Sequence, residues 1–88
     1  MSLKQFIESE NRMRAFFKEP PLDAETLTHD EATKLYKRLD SNMSPEALFA
    51  DGERPRAVAA RLAKMYKQAF ADLKAKGFTP PTELYNIA

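Results

Sequence analysis

The stretch RPRAVAARLAKMYKQAFADLKAK, Arg54–Lys76, decides how this chain folds. Projected at about 100° per residue, Val58, Leu62, Met65, Tyr66, Ala69, Phe70 and Leu73 fall within about 140° of arc, the apolar face of a helix that lies on a core. Pro55 can begin that helix, because proline has no amide to leave unpaired in the first turn, and Gly77 can stop it, with Pro80 and Pro81 beyond. A coiled-coil seam fails: continuing Leu62, Met65 and Ala69 by three places reaches Asp72, where the seam needs an apolar residue.

The same stretch holds seven lysines and arginines against one acid, Asp72, in a chain whose formal net charge is +1. Residues Glu19 to Glu53 carry nine acids and three basic residues, a net of −6. The chain is thus a charge dipole in sequence. Arg61, Lys64, Lys67 and Lys74 project opposite Leu62, Tyr66 and Phe70, so they reach either solvent or an acidic neighbour. Arg54 and Arg56 flank Pro55 at the start of the helix, where cations oppose the dipole by about 0.3–1 kcal/mol each. Asp51 and Glu53 are near enough in sequence to compensate them, and an external phosphate is the functional alternative.

The clearest helix start is Thr28-His29-Asp30-Glu31: a threonine cap, a glutamate three places on, and acids in the electropositive first turn. Ala32, Leu35, Tyr36 and Leu39 then recur at helical spacing, with Lys34, Lys37 and Arg38 opposite. Asp40-Ser41-Asn42 reads as a turn, and Ser44-Pro45-Glu46 as the capped start of a short helix that plugs Leu48 and Phe49 into the core. At the other end, Ser2 and Gln5 fit a capping box. Leu3, Phe6, Ile7, Met13, Phe16 and Phe17 share one face, with Glu10 in its middle at what reads as an exposed margin, and Pro20 and Pro21 end the helix.

The expected fold is all-α. It is a single-domain bundle over 1–88 with main helices at about 2–18, 28–40 and 55–76, a short helix near 45–50, and a C-terminal tail packed on the core. With 43% apolar and 31% charged residues and two glycines, the composition suits a helix-rich globule rather than a disordered chain. Its length supports a net stability of about 4–13 kcal/mol. The absence of cysteine excludes disulfides and thiolate metal sites. Residues Met1 to Gln5 lack the apolar run of a secretion signal and no stretch suits a membrane span, so the expectation is a cytoplasmic protein with no membrane partner.

The chemistry-bearing residues do not converge on a catalytic set. His29, the one histidine, adjoins Asp30 and Glu31, but neighbours on a helix diverge by about 100° and cannot meet on one metal. Asp40, Asn42 and Ser44 match the first, third and fifth places of a calcium loop, yet Pro45 stands where glycine must turn the chain and Asp51 where a bidentate glutamate closes it. No glycine-rich loop exists to cradle a phosphate. The expectation is a non-enzymatic protein with no cofactor and no metal.

Two function classes fit. In the favoured one, the chain is a small helical interaction module or regulator that binds a larger protein or macromolecular machine through Arg54, Arg56, Arg61, Lys64, Lys67 and Lys74. In the alternative, the same basic helix contacts nucleic-acid phosphates. The near-neutral net charge and the acidic segment count against the second. Self-association through Phe16, Phe17 or the Leu84–Ile87 tail is compatible with either.

Overall fold

Thr28 and Glu31 form the reciprocal cap that their spacing implies: Thr28 Oγ1 accepts the Glu31 amide at 3.1 Å, and Glu31 Oε1 accepts the Thr28 amide at 2.9 Å. The helix they open is the second of four in the computed structural model, which describes residues Ser2–Ile87. Met1 and Ala88, the ends of the span assigned to one domain, lie outside the described residues. The order is α1 (Ser2–Phe16), α2 (His29–Asn42), α3 (Pro45–Leu48) and α4 (Arg56–Ala75), with no strand among the described residues. The all-α bundle of three main helices and one short one is therefore present. Among the described residues, no helix is long and apolar enough to cross a membrane.

The boundaries differ from expectation where side chains take over from local signals. α1 stops at Phe16, ahead of the prolines, because Lys18 adopts a left-handed φ of 59°. The Glu19 amide then returns to the Arg14 carbonyl at 2.8 Å and the Lys18 amide to Ala15 at 3.1 Å, the paired closure of a Schellman motif. Gly77, at φ 95°, closes α4 in the same way, with Phe78 donating to Leu73 at 3.2 Å and Gly77 to Lys74 at 2.9 Å. α2 runs through Asn42, so Asp40-Ser41-Asn42 is not a turn. The Asp40 carboxylate is committed to the C-terminal tail and does not compete for nearby backbone groups.

α4 is the element on which α1, α2 and α3 all lie. The core joins Leu3, Phe6 and Ile7 of α1, Ala32, Leu35, Tyr36 and Leu39 of α2, and Ala69 and Leu73 of α4. The buried part of α4 is narrower than its apolar arc: Ala59, Ala69 and Leu73 are buried, whereas Val58, Leu62, Met65, Tyr66 and Phe70 stay half-covered. α1 likewise leaves the core after Glu10, so Met13, Phe16 and Phe17 are exposed. α3 does not plug the core either. It is four residues long, Leu48 is half-buried and Phe49 exposed, and Ala50, Asp51 and Gly52, all at positive φ, swing the chain away directly after it.

Asp72, the residue that breaks the heptad seam, ties the first helix to the last. Its Oδ2 accepts the Leu3 amide at 3.2 Å and its Oδ1 accepts Gln68 Nε2 at 2.9 Å. The start of α1 is thus capped from α4 rather than by a Ser2–Gln5 exchange. Asn11 holds the 17–28 linker along α1, giving and taking one hydrogen bond with the Leu22 backbone at 2.9 and 2.7 Å. The tail folds back as expected, with Leu84 and Ile87 against the core and Tyr85 pointing out.

Candidate partner-binding surface

Arg56, Arg61, Lys64, Lys67 and Lys74 are all exposed along α4. Exposed Ala57, Ala60 and Ala71 lie between them and Ala75 just beyond, so the helix presents a low surface of methyl groups studded with cations. The acidic segment does not neutralise it. The ion pairs among the described residues are Arg14–Glu19, Lys37–Glu83 and Arg38–Glu10, and none involves α4. Lys74 does not stand opposite Phe70: four places on, it shares that side of the helix, its Nζ 5.7 Å from the centroid of the Phe70 ring.

Arg54 belongs to a different structure. It is half-buried, and its Nη1 donates to the Ala47 carbonyl at 3.0 Å and the Leu48 carbonyl at 2.8 Å, closing the end of α3. The carbonyls of α3, and not Asp51 or Glu53, are its partners. The Arg54-Pro55-Arg56 corner is therefore split: one guanidinium is fastened inward and the other is exposed.

A groove of about 840 Å³ runs beside the cationic strip, between α1 and α4. Met13, Leu62, Met65 and Tyr66 contribute to its floor, while Arg12, Arg61 and Lys64 stand on its banks. At one end, Arg38 reaches from α2 to Glu10, whose burial at 7% exposure corrects its assignment to an exposed margin. That pair raises the Arg38 pKa, the hydrogen bond to Glu10 outweighing the opposing effect of burial. The Tyr66 phenol is also raised, by burial first, with Glu10 adding to the effect and Arg54 and Arg38 opposing it. Arg12 and the groove escape a reading along one helix at a time, because their significance depends on which face of α1 meets α4.

The remaining candidates have structural roles. His29 is exposed at the first position of α2, its ring edge-on to Phe78 at 5.3 Å. No cluster of three potential metal ligands occurs among the described residues. The three calcium-loop look-alikes are separately employed or shaped: Asp40 holds the tail, Asn42 ends α2, and Ser44 caps α3 through the Ala47 amide at 3.2 Å. Phe16 and Phe17 pack edge to face at 5.3 Å while remaining 82% and 63% exposed. No known protein family, curated protein or solved structure matches this chain.

Proposed function

We propose that this protein is a non-enzymatic helical interaction module that binds an acidic surface of a larger protein or assembly through the outward face of α4. The residues assigned to contact are Arg56, Arg61, Lys64, Lys67 and Lys74. The observation that supports this reading is that, among the described residues, no ion pair involves the cations of α4, despite a chain segment of net −6 elsewhere in the same small fold. Surface cations that serve only solubility are usually interspersed with acids, whereas a one-sign face attracts an oppositely charged partner and speeds its encounter.

Nucleic acid is the second reading, favoured by the same exposed cations. The apolar floor beside the strip weighs towards protein, because a phosphate backbone makes no use of Leu62, Met65 and Met13. The two readings separate cleanly. Changing Arg61, Lys64 and Lys67 together to glutamate should leave helical content intact and abolish capture of a nuclease-resistant partner from the native host. Unchanged capture would remove the strip from consideration. Tight duplex binding with a log K against log salt slope of about −2.7, as three neutralised phosphates would give, would transfer the strip to nucleic acid.

A further inference from the structure

The α1–α4 groove is built from two helices whose interior backbone groups are already bonded within their own ladders, so it can read side chains but offers no edge to an extended strand. From Ser2 to Met13 its α1 bank runs about 16 Å at 1.5 Å per residue, room for about three turns of a helix laid alongside. Its floor combines a thioether pair, a leucine and a tyrosine, adaptable surfaces for apolar anchors. Its banks are positive. Arg12 lines the groove from α1 and Arg61 and Lys64 from α4, all exposed and none in an ion pair among the described residues, while Glu10 is already held by Arg38 and leaves Glu8 as the exposed acid.

We infer that this groove seats an acidic amphipathic helix of a partner protein, its apolar stripe on Met13, Leu62, Met65 and Tyr66 and its carboxylates on Arg12, Arg61 and Lys64. The inference rests on the reading of α4's cationic face and narrows it: the strip alone would accept any polyanion, but floor and banks together require apolar residues at helical spacing flanked by acids. Arg12 thereby becomes a binding residue although it lies outside α4, and Lys74, which lies outside the groove, does not.

The test uses the full chain and synthetic helical peptides of about 18 residues, long enough to form a helix in isolation. One carries leucines at three- and four-residue spacing with glutamates around them; a second replaces the glutamates by lysine, and a third the leucines by serine. The glutamate–leucine peptide should bind and shift the methyl and ring resonances of Met13, Leu62, Met65 and Tyr66. Both other peptides should bind at least about tenfold more weakly. Arg12→Glu should weaken the first peptide by about tenfold, and Lys74→Glu by less than about twofold, with circular dichroism showing both variants folded.

Equal binding of the serine peptide would reduce the interaction to charge and overturn the groove. So would a loss with Lys74→Glu but not with Arg12→Glu, which would leave the cationic face of α4 as the binding surface. Insensitivity to both would overturn the groove and leave the cationic face to the Arg61, Lys64 and Lys67 reversal, whereas resonance shifts confined to residues outside both the groove and α4 would overturn the two together. Concentration-dependent shifts of the same four residues without peptide would put a second copy of the chain there instead, and also overturn the inference.

Discussion

Arg38 of α2 and Glu10 of α1 are joined by two hydrogen bonds, Nε to Oε1 at 2.8 Å and Nη2 to Oε2 at 3.3 Å. The pairing is unequal. The Glu10 side chain is 9% exposed and that of Arg38 46%, so only the carboxylate depends on its partner for solvation. Arg38→Ala should therefore strand a buried charge and cost about 2 kcal/mol, while Glu10→Gln, which keeps an acceptor and leaves an arginine able to reach water, should cost less than about 1 kcal/mol. Urea unfolding of the two variants checks the order.

Asp40 fastens the end of the chain. Its Oδ1 accepts the amides of Tyr85, Asn86 and Ile87 at 3.0, 2.6 and 3.1 Å, and Asn86 Nδ2 donates to the Asp40 carbonyl at 3.0 Å. A carboxylate holding three converging amides is worth more than an ordinary neutral bond. Asp40→Ala should cost about 2 kcal/mol. It should also remove the hydrogen-exchange protection of Tyr85, Asn86 and Ile87 while sparing the interior of α2, an outcome that amide exchange resolves residue by residue.

Alkaline stability should report on Tyr36. Burial raises its pKa above 10.0, and its Oη donates to the Phe78 carbonyl at 2.6 Å, a bond available only to the protonated phenol. The folded state thus holds the proton more tightly than the unfolded chain. The resulting stabilisation is complete below pH 10 and is lost as pH rises through 10 towards the raised folded value. Tyr66 is raised as well and contributes in the same direction. Tyr36→Phe should lower stability by about 1 kcal/mol at neutral pH, and its stability should then fall less steeply than the wild type's above about pH 10.

The loop after α3 contains a removable cost. Ala50 sits at φ 46° and Asp51 at φ 56°, followed by Gly52 at 89°. An L-residue in the left-handed region costs about 1–2 kcal/mol, which glycine avoids at the expense of greater freedom when unfolded. Ala50→Gly should therefore raise stability by about 0.5–1 kcal/mol, seen as a higher melting temperature.

Local chemistry made the bundle legible. Thr28 with Glu31, Ser44 before Pro45, and Gly77 are short-range devices whose geometry is written in a few adjacent residues, and each sits where such devices belong. Bonds between distant residues were not legible. Glu10 reads as a flaw in an apolar face until Arg38 arrives from α2, and Asp72 as a broken seam until the Leu3 amide meets it. Asp40 reads as a turn residue until the tail wraps round it. The cationic strip was visible because it lies on one helix, but Arg54's inward role and Arg12's place on the opposite bank depend on how segments pack in space. Phe70, at one edge of the apolar arc, is half-covered and meets Tyr36 edge-on at 5.1 Å, while Leu73 is the fully buried anchor of α4.

An acidic protein seated on α4 should be caught by photo-crosslinking in the native host from a benzophenone amino acid placed at Ala60, exposed among Arg56, Arg61 and Lys64, with exposed Ala47 on α3 as the control site. The expected result is a discrete adduct from position 60 that protease destroys and nuclease leaves intact, that is absent from position 47, and that disappears when Arg61, Lys64 and Lys67 are changed to glutamate. A nuclease-sensitive adduct, equal crosslinking from both sites, or an adduct that survives the charge reversal would contradict an acidic protein partner on α4.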